Sequence, residues 1–248
     1  MKLGVILAVA GALVLAATGS APAGQTQVAV AANFTAPAKE IAAAFKAETG
    51  NEAQLSFGAS GQFHAQIQQG APFQVFLSAD ADRPRAAIEA GLAVVDSRFT
   101  YAIGKLVLWS KSLDLAKGDE ALKAGAFAKL AIANPKSAPY GAAAVEAMTK
   151  LGVYDAIQPK IVQGASIGQA FEFVDTGNAE LGFVALSQLA NDTAGSRWPV
   201  PQALYAPIRQ DAVLLKIGAD DQASKAFLAF LKGPLARAII EKYGYGLD

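Results

Sequence analysis

Four times in this chain a strand-like apolar run ends in small or polar residues and passes straight into a helical pattern, which demands an α/β layered architecture. The junctions are Ala32-Asn33-Phe34-Thr35, Gly58-Ala59-Ser60-Gly61, Ala138-Pro139-Tyr140-Gly141 and Gly164-Ala165-Ser166-Ile167. Each leaves backbone N–H groups without partners at a helix N-terminus, where the helix dipole favours negative charge. None of the four carries Asp, Glu, Lys or Arg. One such junction is ordinary capping; four uncharged ones, two in each half, point to a site for a small, fully ionised anion.

The N-terminus reads as an export signal. Lys2 supplies one positive charge, Leu3 to Ala17 is apolar, and Ala21-Pro22-Ala23 gives an A-x-A cleavage pattern, so a mature chain starting at Gly24 is expected. The apolar stretch is short for a membrane span. The chain has no Cys, which excludes a lipid-anchored cysteine and any disulfide. A soluble product, periplasmic or secreted, is expected, and the periplasm is the preferred destination. Loss of Lys2 with the leader leaves 20 basic against 21 acidic residues, and no basic stripe is present. Nucleic acid is therefore a poor candidate partner, and an anion must be held by local dipoles and hydroxyls. The 53% apolar and 17% charged content fits a filled globular core.

Strands and helices alternate along the chain. Val28 to Ala32 reads as a strand, Thr35 as the cap of a helix running through Ile41 and Phe45 to Gly50, and Glu52 to Phe57 as a second strand. A helix from Gly61 to Gly70, a strand from Phe73 to Leu77 and a helix closing at Gly91 follow, an order that predicts a parallel sheet covered on both faces. Phe99 to Ser110 is a long strand-rich run interrupted by Gly104. A second alternating series begins at Lys129: a helix at Tyr140 to Leu151, a strand at Lys160 to Gln163, a helix at Ile167 to Thr176 and a strand at Leu181 to Ala185. After a Pro-marked stretch, Trp198 to Pro207, come a strand at Arg209 to Ile217 and helices at Gln222 to Lys232 and Leu235 to Tyr243. The runs near 100–110 and 204–217 are expected to cross between two lobes. Lobe 1 is then 24–105 plus 208–248 and lobe 2 is 106–207, with the anion in the cleft beyond the carboxyl ends of the strands.

Three stretches carry a family resemblance: Val28 to Thr35 (VAVAANFT), Ser56 to Gln62 (SFGASGQ) and Gly70 to Asp80 (GAPFQVFLSAD). With Asn134-Pro135, Gly182-Phe183-Val184 and Leu231-Lys232-Gly233-Pro234, they make the chain resemble the periplasmic molybdate-binding proteins of ABC importers over nearly its whole mature length. The resemblance implies a type II periplasmic binding protein. It has two lobes, each a central sheet flanked by helices, joined by two crossing strands. It implies no enzyme activity and no cofactor. The ligand is molybdate or tungstate, the partner a membrane permease, and the protein a monomer. Carried over residue by residue, the implied anion-binding residues are Asn33, Ser60, Tyr140 and Ile167. Many members place a Tyr after the strand that here ends at Ala185. Either Tyr140 supplies the missing phenol from the other side, or the site has one hydroxyl fewer.

The chemistry agrees independently. A fully deprotonated tetrahedral dianion only accepts hydrogen bonds, so Ser, Tyr, Asn and backbone donors suffice. Hydrogen phosphate would benefit from a carboxylate acceptor, which the junctions do not offer. Sulfate has the same shape and charge as molybdate, so a binding protein for another tetrahedral oxyanion is the alternative. A periplasmic hydrolase is the rival from another class. Gly58-Ala59-Ser60-Gly61 is not the G-x-S-x-G elbow, and the sole His, His64, lies four residues from Ser60, out of the usual triad order. His64 reads as structural or exposed, not as a metal ligand. Tyr243 and Tyr245 read as end-of-chain packing rather than as ferric-ion ligands.

Overall fold

In the computed structural model, which describes residues 23–191 and 194–247, the alternating series folds into two five-stranded sheets among the described residues. The expected leader lies outside them except for Ala23. The first stretch of chain contributes β1 (Gln25–Ala31), α1 (Thr35–Thr49), β2 (Glu52–Gly58), α2 (Ser60–Gln68), β3 (Val75–Leu77), α3 (Asp82–Glu89) and β4 (Phe99–Gly104). The middle contributes β5 (Leu106–Ser110), α4 (Gly118–Ala124), β6 (Leu130–Ala133), α5 (Pro139–Lys150), α6 (Tyr154–Ile157), β7 (Ile161–Gly164), α7 (Ile167–Asp175), β8 (Leu181–Ala185) and β9 (Ser196–Pro199). The end contributes β10 (Ile208–Leu214), α8 (Gln222–Leu231) and α9 (Pro234–Lys242).

The sheet orders are β2-β1-β3-β10-β4 and β7-β6-β8-β5-β9. The chain thus passes from the first sheet to the second between Gly104 and Leu106 and returns between Pro199 and Ile208. The run 99–110 is therefore two strands in different sheets. β1, β2 and β3 are parallel as expected, but β10 runs antiparallel to both β3 and β4. The purely parallel expectation fails because β10 re-enters from the other sheet instead of through a β-α-β crossover. The Pro-marked stretch also hides an edge strand: β9 pairs antiparallel with β5 and ends at Pro199, a position where a missing N–H is tolerated.

Alternation along β1 divides the first lobe's core. Val28 and Val30 pack with Ile41 and Phe45 of α1, Phe227 of α8 and Ile240 of α9. Ala29 faces the opposite way, towards Phe63 and Ile67 of α2. Period-2 strand geometry thus gives the sheet helices on both faces. α1 ends as expected, with Gly50 in the left-handed region at φ 74°. It does not begin as expected. A 3-10 turn, Ala32–Phe34, runs directly into α1, and the Thr35 hydroxyl turns back to donate to the Ala32 carbonyl (2.8 Å). Thr35 is therefore no N-cap; the unpartnered amides of this helical start belong to the preceding turn.

Candidate functional site

All four junctions meet. One small cavity, of about 10 Å³, is lined by Ala31, Ala32 and Asn33 from the first, Gly58, Ala59 and Ser60 from the second, Ala138, Pro139 and Tyr140 from the third, Ile167 from the fourth, and Ala79 after β3. The first two junctions follow strands of one sheet, and the last two follow strands of the other. Asn33, Ser60, Tyr140 and Ile167 are each no more than 4% exposed. No lining residue carries a formal charge. The volume is far below the roughly 300–1,000 Å³ of sites for organic molecules, and four helix starts border it, the ends at which helices carry unpartnered N–H groups and the positive end of the dipole. A larger, open cleft alongside is lined by Asp80, Arg83, Glu146 and Arg209, both signs of charge, and so lacks that bias.

Ser60 occupies the first position of α2, with Ala59 as the N-cap, so its hydroxyl is not a cap. Its Oγ accepts the Ala79 amide (2.9 Å), which leaves the hydroxyl proton for another acceptor. Ile167 opens α7, whose cap is Ser166: the Ser166 Oγ accepts from the Gln169 amide (3.4 Å). The Ile167 amide therefore has no intrahelical partner by position. Tyr140 is the second residue of α5, behind Pro139. Burial, and after it the neighbouring phenols, raise its pKa well above the ordinary range, so the phenol is a protonated donor. Ala185 lies outside the cavity lining, paired with Leu106 in the sheet.

The Asn33 side chain is engaged behind the cavity. Its Nδ2 donates to Gln210 Oε1 (2.8 Å) and to the Tyr245 hydroxyl oxygen (2.9 Å), while its Oδ1 is buried without a hydrogen-bond partner. What Asn33 offers an anion in this arrangement is its backbone N–H, in the first turn of the helical start. Around it lies a buried polar network. Ser187 Oγ donates to the Asn33 carbonyl (2.8 Å), and the Tyr245 hydroxyl sits 2.8 Å from that carbonyl and 2.9 Å from Ser187 Oγ. Gln210 Nε2 donates to the Tyr140 hydroxyl oxygen (3.3 Å). With the Gly61 amide donating to the Ser137 carbonyl (2.8 Å), these contacts close one sheet's loops on the other's around the cavity.

Tyr245 is thus more than end-of-chain packing, because its hydroxyl binds residues of both halves. Gln210 and Tyr245 escape a sequence reading focused on helix starts. The one signal for Gln210 is a polar pair, Gln210-Asp211, inside an apolar strand. His64 is partly buried, its Nδ1 lacks a partner, and burial followed by the Arg83 charge lowers its pKa. It does not line the cavity.

A model of the bacterial extracellular solute-binding proteins matches residues 26–246. The chain belongs to that family. This solute-binding protein is 59% identical over 243 residues to the molybdate-binding protein ModA of Rhodobacter capsulatus, covering 96% of this chain and 94% of the relative. It is 56% identical over 233 residues to the molybdate-binding protein ModA of Azotobacter vinelandii, covering 92% of each. Its fold superposes on the periplasmic molybdate-binding protein of Azotobacter vinelandii with a TM-score of 0.86 at 42% identity, covering 90% of this chain and 99% of that one. The two-lobed fold and the family expected from the sequence are those found.

Proposed function

We propose that this protein captures molybdate, and tungstate with it, in the periplasm and delivers the anion to the permease of an ABC importer. One observation carries the reading: four uncharged helix starts, two from each sheet, converge on a single small buried cavity. Asn33, Ser60, Tyr140 and Ile167 bind the anion. Tyr140 fills the role that many relatives give to a Tyr after the strand ending here at Ala185. Residues 24–105 with 208–248 form one lobe and 106–207 the other, and the protein acts as a monomer exported by a leader cut near Ala23. The molybdate-binding relatives support the ligand and the importer. The protein is a carrier and not an enzyme. In support, the Ser60 hydroxyl faces no general base, since the cavity lining contains no His, Lys or carboxylate.

Native mass spectrometry after exposure to equal concentrations of molybdate, tungstate, sulfate and phosphate tests the reading. Adducts of molybdate and tungstate are expected, without those of sulfate or phosphate. A sulfate adduct as abundant as that of molybdate would replace the reading with a general oxyanion carrier.

A further inference from the structure

The Tyr140 hydroxyl is held in place by two residues that do not line the cavity. Gly104 is the last residue of β4, just before the chain crosses to the other sheet, and it stands opposite Ile208 of β10. The tip of the phenol rests against its backbone. A Cβ at Gly104 would land on the Tyr140 oxygen and come within 2.7 Å of Gln210 Nε2. Gly104 is not among the glycines at positive φ, so close approach is what requires glycine here.

Gln210 is fully buried in β10, at the point where the register with β4 shifts. Its Oε1 accepts from Asn33 Nδ2 (2.8 Å) and lies 3.1 Å from the Tyr101 hydroxyl. With the carbonyl side of the amide occupied by donors, the Nε2 side is the one presented to Tyr140, as its 3.3 Å contact shows. The phenol oxygen therefore accepts from Gln210, and its own proton remains for a different acceptor, of which the Tyr245 hydroxyl is one within hydrogen-bond reach. An acceptor at that position would instead draw the proton away from the cavity.

We propose that Gly104 and Gln210 are positioning residues for Tyr140: they seat the phenol and turn its proton towards the oxyanion. The proposal rests on the reading that Tyr140 binds the anion. Because both residues lie where the chain crosses between the sheets, they also tie this donor to the relative placement of the two lobes.

The test is a set of double-mutant cycles in molybdate affinity, measured by calorimetry on the mature protein. The variants are Gly104→Ala, Gln210→Glu, Tyr140→Phe and Ser60→Ala with their pairs, and melting of each without molybdate checks that it folds. Gln210→Glu keeps an acceptor for Asn33 and sets another acceptor against the phenol. Each of Gly104→Ala and Gln210→Glu is expected to weaken binding at least ten-fold. In the Tyr140→Phe background the further loss should shrink to three-fold or less, while in the Ser60→Ala background it should stay ten-fold. Equal losses with and without the Tyr140 hydroxyl would overturn the proposal, as would wild-type affinity in the single variants. If Gly104→Ala does not fold, the Gln210→Glu cycle decides alone. Wild-type affinity in Tyr140→Phe itself would instead remove Tyr140 from the binding residues, a distinguishable failure.

Discussion

Ser60 is held so that its hydroxyl has one use left. The Ala79 amide occupies an oxygen lone pair at 2.9 Å, and the side chain is 1% exposed, so the proton must find its acceptor inside the cavity. A hydrogen bond to a charged group is worth about 1.5–3 kcal/mol. Ser60→Ala should therefore lower molybdate affinity at least ten-fold while the far-UV circular dichroism stays unchanged. Calorimetry giving wild-type affinity would mean that the hydroxyl serves only Ala79. Asn33 shows the opposite economy. Both donor positions of its Nδ2 are committed to Gln210 and Tyr245, which makes its side chain part of the wall and its backbone the donor. The residue was legible in the sequence as part of an uncharged helix start. Which of its atoms faces the anion was not, because that depends on Tyr245, 212 positions away in the chain.

The helix start is the unit from which the site is built. Ile167 tests that directly, because its contribution at the first position of α7 is an amide and not a side-chain polar group. Proline is tolerated at that position, where its missing N–H breaks no intrahelical bond, and Ser166 already has the extended conformation (φ −141°, ψ 171°) that precedes proline. Ile167→Pro should keep α7 and the melting temperature within a few degrees but weaken molybdate binding about ten-fold; Ile167→Val, which keeps the amide, should bind nearly normally. Equal affinity for the two variants would show that this amide is not a donor. The helix starts were readable because small uncharged residues at the ends of apolar runs are a local signal. The same locality explains what was missed. β9 is a four-residue edge strand whose pairing with β5 is decided by residues about 90 positions earlier. α4 opens on Gly118 without a capping side chain. Thr35 looked like a cap because an N-terminal hydroxyl is the usual one, yet the turn before it had already begun the helix.

At the scale of the whole molecule, the cavity exists only where the two lobes meet. Its lining is divided between loops of the two sheets, and direct bonds such as Gly61 to Ser137 and Ser187 to Asn33 hold them together. A ligand that touches both lobes favours the closed arrangement only through contacts it makes there. Saturating molybdate should therefore reduce the radius of gyration in small-angle scattering, and Ser60→Ala should need more molybdate for the same reduction. Identical scattering curves with and without molybdate would mean that closure does not depend on the ligand.

The absence of formal charge around the cavity has an electrical consequence. A His or carboxylate beside the anion could take up a proton on binding and offset part of its charge, whereas dipoles and hydroxyls take up none. A mature chain of 20 basic and 21 acidic residues that takes up a dianion thus keeps the whole of that charge. On a native isoelectric-focusing gel the loaded protein should run as a discrete, more acidic band. The ratio of the two bands would then report occupancy without any label on protein or ligand.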